Sequence, residues 1–274
     1  MSRRETEDGR RADIYERITA RIVADLEKGV RPWIQPWGAA HAQGRITRPL
    51  RHSGEPYTGM NVLLLWSEAV ARGFASPIWM TFRQASELGG HVRKGETGAP
   101  VIYASRFMKD EVDAQGDPVE RIAHADRFFA HTGAITRHGG REAFYSPSTD
   151  HIQMPPFETF RDAASYVAVL SHESIHWTAH ASRVGRDLSR YAKDRSERAR
   201  EELVAEIGSA LLCADLGIVP ELEPRPDHAA YLASWLTVLA NDKRAIFAAA
   251  AHAQRAVAFL HALQPQSDDA REAA

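Results

Sequence analysis

Hydrophobic residues recur every three to four positions over several long segments, and this spacing predicts a chain built mainly of helices. Between residues 13 and 27, for example, Ile14, Ile18 and Leu26 fall on one face of a helix that Gly29 ends. The same spacing predicts helices over residues 61–72, 82–88, 160–176 and 200–212, and over 229–263 as one long helix or a pair. Thr81 is the predicted N-cap of the helix at 82–88.

Shorter stretches alternate between polar and apolar side chains, which is the period of a β-strand. Residues 100–107 and 121–131 are predicted as two strands joined by a polar loop, and residues 143–145 and 151–154 as a β-hairpin. The sequence therefore predicts an α+β protein of two domains. A small mixed α/β domain occupies residues 1–135, and a mainly helical domain with the β-hairpin occupies residues 136–274. The expected junction is the glycine-containing segment 136–141.

Composition narrows the class of protein. Hydrophobic residues make up 44% of the chain and charged residues 26%, which are ordinary values for a globular protein. No apolar run approaches the roughly 20 residues of a membrane helix, and the charged N-terminus lacks the apolar core of a signal peptide. The single cysteine, Cys213, excludes a disulfide framework and a zinc site made of cysteines. We therefore expect a cytoplasmic protein without a membrane partner.

The net charge of −2 conceals a basic segment. Between Lys28 and Lys109 there are eleven Lys and Arg residues but four acids, a net charge of +7, and nine aromatic residues are interleaved with them. This combination suits single-stranded nucleic acid, because cations follow the phosphates while aromatic rings stack on exposed bases. The alternative is a basic surface that is simply solvated.

The candidate DNA contacts are residues in segments predicted to be loops or turns, where side chains are free to reach outward. For phosphates they are Arg45, Arg48, Arg51, Arg93 and Lys94. Tyr57 lies in a predicted turn and is the candidate for stacking on a base. In contrast, Trp66 and Trp79 lie in apolar surroundings and are expected to be core residues.

The strongest chemical signal is the sequence His172-Glu173-Ser174-Ile175-His176. On a helix, positions i and i+4 lie on one face, so the two imidazoles converge on a single point. Glu173 projects about 100° away from His172 and reaches a water in a metal's open coordination position. Zinc hydrolases use this arrangement of two histidine ligands and one carboxylate base. The surrounding apolar residues predict a buried helix, where a metal satisfies all three polar side chains.

A third ligand is needed, and two residues are candidates. His180 lies one turn beyond His176, but the following residues indicate that the helix ends nearby. Glu202 is the better candidate, because it lies beside the apolar stripe of the next predicted helix. Glu206, four residues later on the same side, is expected to orient a ligand histidine through its free ring N–H. The alternative is that both are solvated glutamates at the edge of a helix.

Several motifs together resemble one protein family. They are Pro56-Tyr57-Thr58-Gly59-Met60-Asn61, Arg93-Lys94-Gly95-Glu96, Tyr145-Ser146-Pro147-Ser148-Thr149-Asp150, the histidine motif with Trp177-Thr178, Glu201-Glu202-Leu203-Val204-Ala205-Glu206, and Asn241-Asp242-Lys243-Arg244. They are similar to motifs of the ArdC-type antirestriction proteins of mobile elements. The resemblance implies a single-stranded-DNA-binding domain followed by a zincin-like metallopeptidase domain. One departure is Ser174-Ile175, where a small apolar pair is expected, but neither position is a ligand.

Two classes of function remain open at this point. In the first, the chain is a zinc-dependent hydrolase of peptide bonds, directed by DNA binding to a host restriction enzyme or another protein substrate. In the second, it is a DNA-binding antirestriction protein whose metal site is structural or vestigial. The presence of Glu173 favours the first class, because a structural site has no use for a general base.

Overall fold

The computed structural model describes residues 3–29, 31, 33, 48–102, 118–160, 162–218 and 228–265. The helices in this part of the chain are α1 Arg3–Glu27, α2 Met60–Arg72, α3 Phe82–Glu87, α4 Pro118–His131, α5 Ala163–Trp177, α6 Arg195–Asp215, α7 His228–Asn241 and α8 Ala245–Ala262. The strands are β1 Leu50–Arg51, β2 Ile78–Trp79, β3 Ile135–His138, β4 Phe144–Ser146 and β5 His151–Met154. The predicted α+β class is confirmed, and the last predicted helix is a pair. Within the described ranges, no helix has the length and apolar content that crossing a bilayer requires.

The strands form two small sheets. In the larger sheet, β5 is the central strand. It is antiparallel to β4 and parallel to β3. The β4–β5 pair is the predicted hairpin. Strand β3 includes residues 136–138, which are half of the segment predicted as the domain junction, so that half belongs to the sheet. The second sheet is the short parallel pair of β1 and β2.

Residues 121–131 are helical, and the prediction of a strand there is wrong. Ala125, Phe128 and Phe129 are spaced for one face of a helix, and all three are buried in the core. Of the other predicted strand, residues 100–102 are not in a strand, and residues 103–107 lie outside the described part of the chain. The two segments therefore do not form a hairpin.

One hydrophobic core extends through both predicted domains. It contains Leu63 of α2 together with Ile207 of α6 and Leu260 of α8. Trp33 packs edge-to-face against Trp235, with 5.5 Å between the ring centroids. The division at residues 135 and 136 stays a prediction, and the shared core shows that the two halves pack extensively on each other.

A buried polar network also joins the two halves. The Arg48 guanidinium donates to both carboxylate oxygens of Asp215, over 2.6 and 2.5 Å, and to the side-chain oxygen of Gln254 over 3.0 Å. The backbone N–H of Gly59, which precedes α2, donates to the same Gln254 oxygen over 3.1 Å. Burial favours the neutral acid, but the charge of Arg48 and the contact with His261 hold the pKa of Asp215 below its usual range.

Candidate metal centre

Helix α5 carries the histidine motif into the interior. Asp162 caps its N-terminus by accepting a hydrogen bond from the Ser165 N–H over 2.6 Å. Every residue from 170 to 177 is buried, including both histidines. His172 and His176 lie on one face, as the i, i+4 spacing predicts, with 4.9 Å between their ring centroids.

Helix α6 supplies the acidic side of the site, and a glycine permits its approach. Asp194 caps the helix by accepting hydrogen bonds from the N–H groups of Ser196 and Glu197. Where α6 crosses α5, Gly208 lies directly against Ile175. This contact is close enough to bring the carboxylate of Glu202 beside the two imidazoles.

The three predicted ligands lie together. His172 Nε2 is 3.4 Å from Glu202 Oε2, and His176 Nε2 is 3.7 Å from Glu202 Oε1. Ligand atoms of a tetrahedral zinc site are about 3.4 Å apart, because each lies about 2.0–2.2 Å from the metal. The donor set of two imidazoles and one carboxylate therefore fits a divalent metal in both chemistry and spacing. His180 lies beyond the end of α5, contacts Ser182, and is not part of this group.

Each histidine has a second glutamate at its other ring nitrogen. The predicted residue Glu206 places Oε1 3.6 Å from His172 Nδ1, which is longer than a hydrogen bond. The closer contact is one that the sequence analysis does not predict. The Oε1 atom of Glu201 accepts a hydrogen bond from His176 Nδ1 over 3.0 Å. The sequence contains a hint of this contact, because Glu201 directly precedes Glu202. The i, i+4 spacing, however, selects Glu202 and Glu206 and leaves Glu201 out.

These contacts set the charges at the centre. Burial lowers the pKa of His176, but its hydrogen bond to Glu201 and the neighbouring carboxylates outweigh this effect and raise the pKa to about 9. Burial raises the pKa of Glu202, but His172, His176 and the hydroxyl of Tyr191 together lower it to about 2. A metal would therefore find the carboxylate of Glu202 already ionised and would compete with a proton on His176.

Glu173 differs from every other acid at the site. It is buried, with 5% of its surface exposed, and it makes no hydrogen bond or ion pair within the described residues. Neither of its carboxylate oxygens is among the fully buried side-chain atoms without a partner, so the carboxylate reaches solvent at the site although the residue as a whole is buried.

The predicted DNA contacts fall into three groups. Arg51, Arg93 and Lys94 are exposed, and the Arg51 guanidinium lies 5.2 Å from the centre of the Tyr57 ring. Arg48 is buried in the network with Asp215 and is not available to a phosphate, so the prediction of a DNA contact at this residue is wrong. Arg45 lies outside the described part of the chain.

Comparison with known proteins gives relatives along nearly the whole chain. The protein y4eC of Sinorhizobium fredii is 42% identical, and the match covers 96% of each chain. A DNA primase TraC of Escherichia coli is 34% identical over 91% of this chain, which corresponds to 27% of that protein. The metal-free crystal structure of the antirestriction protein ArdC from plasmid R388 is 39% identical with a TM-score of 0.75, covering 92% of this chain and 97% of that one. The Mn(II)-bound structure of the same protein is 40% identical with a TM-score of 0.70, covering 91% and 97%.

Two family profiles match overlapping parts of the chain. Residues 12–135 match the N-terminal domain of anti-restriction factor ArdC, and residues 123–252 match a zincin-like metallopeptidase. The fold and the donor set thus define a protein with a zincin-like metallopeptidase domain. Because the chain matches the ArdC protein of plasmid R388 over nearly the whole length of both, it belongs to the family of ArdC-type antirestriction proteins.

Proposed function

We propose that the chain is a zinc-dependent metallopeptidase that also binds single-stranded DNA and protects incoming mobile-element DNA from restriction. His172, His176 and Glu202 would hold the metal, which when bound polarises a water and the carbonyl of the scissile peptide. The Mn(II)-bound structure of the ArdC protein from plasmid R388 supports the binding of a divalent metal. The spacing of the donor atoms and their chemistry support zinc.

The observation that carries the hydrolytic part of the proposal is the carboxylate of Glu173, which makes no hydrogen bond or ion pair within the described residues and whose oxygen atoms reach solvent at the site. A carboxylate without a donor from the protein is free to accept a proton from water as the water oxygen bonds to the carbonyl carbon. The same proton is then available for the leaving amine nitrogen. A site whose role is only structural gains nothing from a carboxylate at this position. The alternative, a DNA-binding protein with a vestigial metal site, therefore leaves Glu173 unexplained.

The DNA-binding part of the proposal rests on the N-terminal surface around Arg51. Arg51 pairs in register with Trp79 across the β1–β2 sheet, and its guanidinium faces the ring of Tyr57. Trp79 packs edge-to-face on Phe74, with 5.7 Å between the ring centroids. All three aromatic residues are partly exposed, and all three also pack against the hydrophobic core. Tyr57, the ring that lies beside a cation, suits a base next to a phosphate of a single strand. Lys94 and Arg93 add positive charge without lying in the core.

The hydrolytic proposal is tested with the full chain loaded with zinc and an unfolded protein such as casein as a general substrate. Glu173→Gln is nearly isosteric and touches no proposed ligand, so it is expected to retain zinc and to lose about 10²–10⁴-fold in cleavage rate. If the wild type cleaves and Glu173→Gln cleaves equally fast, the proposed mechanism is wrong. If neither cleaves and both protect DNA, the vestigial-site alternative replaces it.

A further inference from the structure

Two consecutive glutamates reach the metal centre, but they meet different donors. Glu202 accepts a hydrogen bond from the neutral hydroxyl of Tyr191. Glu201 instead faces the guanidinium of Arg186. Both donors come from the segment between α5 and α6, which folds back onto the site. This segment therefore gives the two acids different surroundings, although they are neighbours in sequence.

Arg186 makes an unusually complete set of contacts for a residue outside the motif. Its side chain is 5% exposed. It donates to both oxygens of Glu201, over 3.0 and 2.7 Å. It also donates to the Thr178 hydroxyl over 2.9 Å and to the Ile175 carbonyl over 2.7 Å. The guanidinium thus joins the C-terminal turn of α5 to the part of α6 that carries the acids.

This geometry fixes the orientation of one histidine. A guanidinium bound to both oxygens holds a carboxylate in one plane, because its donors form a rigid fork. The Oε1 atom of Glu201, held in this way, accepts from His176 Nδ1. His176 must then present Nε2 toward Glu202, which is the orientation that a shared metal requires. The ion pair with Arg186 also keeps Glu201 from acting as a competing ligand.

We propose that Arg186 is a positioning residue of the metal centre, which acts through Glu201 to hold His176 in the metal-binding orientation. The inference rests on the proposed function only in requiring that His172, His176 and Glu202 bind a divalent metal. It assigns no contact with substrate to Arg186.

Arg183 provides a matched control on the same segment. Its side chain is 9% exposed, and it donates to both oxygens of Asp150, over 2.5 and 3.0 Å, and to the Trp177 carbonyl over 2.7 Å. It therefore resembles Arg186 in burial, in its paired carboxylate and in its bond to the end of α5. Its described partners lie in strand β4, in the β4–β5 turn and at the end of α5, and none of them is a residue of the metal centre.

The experiment compares Arg186→Lys, Arg183→Lys and Glu201→Gln in the full chain. Zinc affinity is measured by competition with a chelator, and the free energy of unfolding of each metal-free variant is measured by denaturant. Loss of a partner behind a ligand typically costs about 10–100-fold in metal affinity, and this loss is expected for Arg186→Lys and Glu201→Gln. Arg183→Lys is expected to lose stability while retaining wild-type affinity. The double variant, Arg186→Lys with Glu201→Gln, is expected to bind zinc no more weakly than the weaker of the two single variants. The reason is that Arg186 acts on His176 only through Glu201.

Each outcome supports or overturns the inference. Wild-type zinc affinity in Arg186→Lys, or an equal loss in Arg186→Lys and Arg183→Lys, overturns it. If Arg186→Lys does not fold, the zinc affinity of Glu201→Gln tests the inference instead. Wild-type zinc affinity in Glu201→Gln overturns the inference as well. If the wild type binds no divalent metal, the proposed metal site fails first, and the inference fails with it. That result is distinguishable, because it concerns the wild type alone.

Discussion

Gly208 of α6 lies so close to Ile175 of α5 that a methyl group on Gly208 would stand 2.8 Å from two carbon atoms of the Ile175 side chain. Ile175 lies inside the histidine motif and is fully buried, so an added methyl group would force the side chain or the helices to shift. The close approach of these two helices is what brings Glu202 within reach of both histidines. The metal centre therefore depends on a glycine that carries no chemistry itself.

Gly208→Ala is the direct test of this dependence. Overpacking of a tight core contact typically costs about 1–3 kcal/mol, and the added methyl group is expected to force α6 away from α5 and to weaken zinc binding. Ser209→Ala is the matched control. It removes a hydrogen bond of 2.9 Å to the Ala168 carbonyl between the same helices without adding volume. Its free energy of unfolding should fall by about 0.5–1.5 kcal/mol. A Gly208→Ala protein with wild-type stability and zinc affinity would contradict the account.

A second prediction concerns the buried ion pair that joins the two halves. Arg48→Ala leaves the carboxylate of Asp215 buried without its main partner, and breaking a buried pair in this way typically costs about 3–5 kcal/mol. The exposed pair of Arg200 and Asp242 is the control, with side chains 37% and 38% exposed. Arg200→Ala is expected to cost about 0–1 kcal/mol. Denaturant unfolding measures both values, and equal losses would show that the Arg48 contact is not a special link between the halves.

The third prediction is a pH dependence of metal affinity. A histidine ligand must be neutral, so a metal displaces the proton from the imidazole. Because the pKa of His176 is raised from 6.5 to about 9 in the metal-free protein, zinc affinity should rise steadily between these two pH values. The raised pKa also stabilises the metal-free fold. That contribution is complete below pH 6.5 and is lost as the pH rises through about 9.

Chelator competition across this pH range checks the prediction. Glu201→Gln should give a shallower dependence, because it removes the partner that raises the pKa of His176. Zinc affinity that does not change with pH in the wild type would show that His176 carries no extra proton in the metal-free protein.

The fourth prediction concerns DNA. Arg51→Glu and Tyr57→Ala, each in the full chain, should weaken binding of a single-stranded oligonucleotide without regard to its sequence. Stacking of a base on an aromatic side chain typically contributes about 1–3 kcal/mol. Removal of one cation from a phosphate should reduce the slope of log affinity against log salt by about 0.7. Arg255→Glu, an exposed change on α8, is the charge-matched control. Fluorescence anisotropy measures all four proteins, and equal weakening by Arg255→Glu would point to net charge instead of a defined surface.

Local patterns are enough to predict the parts of the site that lie on one helix. The i, i+4 spacing of His172 and His176, and the apolar stripe beside Glu202, are properties of short segments, and the structure brings these residues together. Gly208 cannot be recognised in this way, because a glycine inside a helical pattern shows its purpose only when the opposing helix is known. The same is true of Arg186, whose charge suggests a solvated side chain until Glu201 is seen to face it.

Sequence patterns also mislead where the deciding contact is distant in sequence. Strand β3 has no clear alternation, because three of its four side chains are exposed, and its partner β5 is about fifteen residues away. Arg48 lies in a segment with the composition of a loop, which favours a DNA contact, but its partner Asp215 lies in the other half of the chain. The strand predicted over 121–131 is a different kind of error, since the helical spacing of its buried residues is visible in the sequence itself.

The central claim is that His172, His176 and Glu202 form one metal site next to a general base that is not a ligand. The most direct measurement is the stoichiometry and affinity of zinc, with manganese in parallel, for the full-length wild type, Glu202→Gln and Glu173→Gln. We predict one metal ion per chain in the wild type and in Glu173→Gln, and loss of tight binding in Glu202→Gln. Full binding by Glu202→Gln, together with its loss in His180→Ala, would contradict the claim and would place the third ligand at His180.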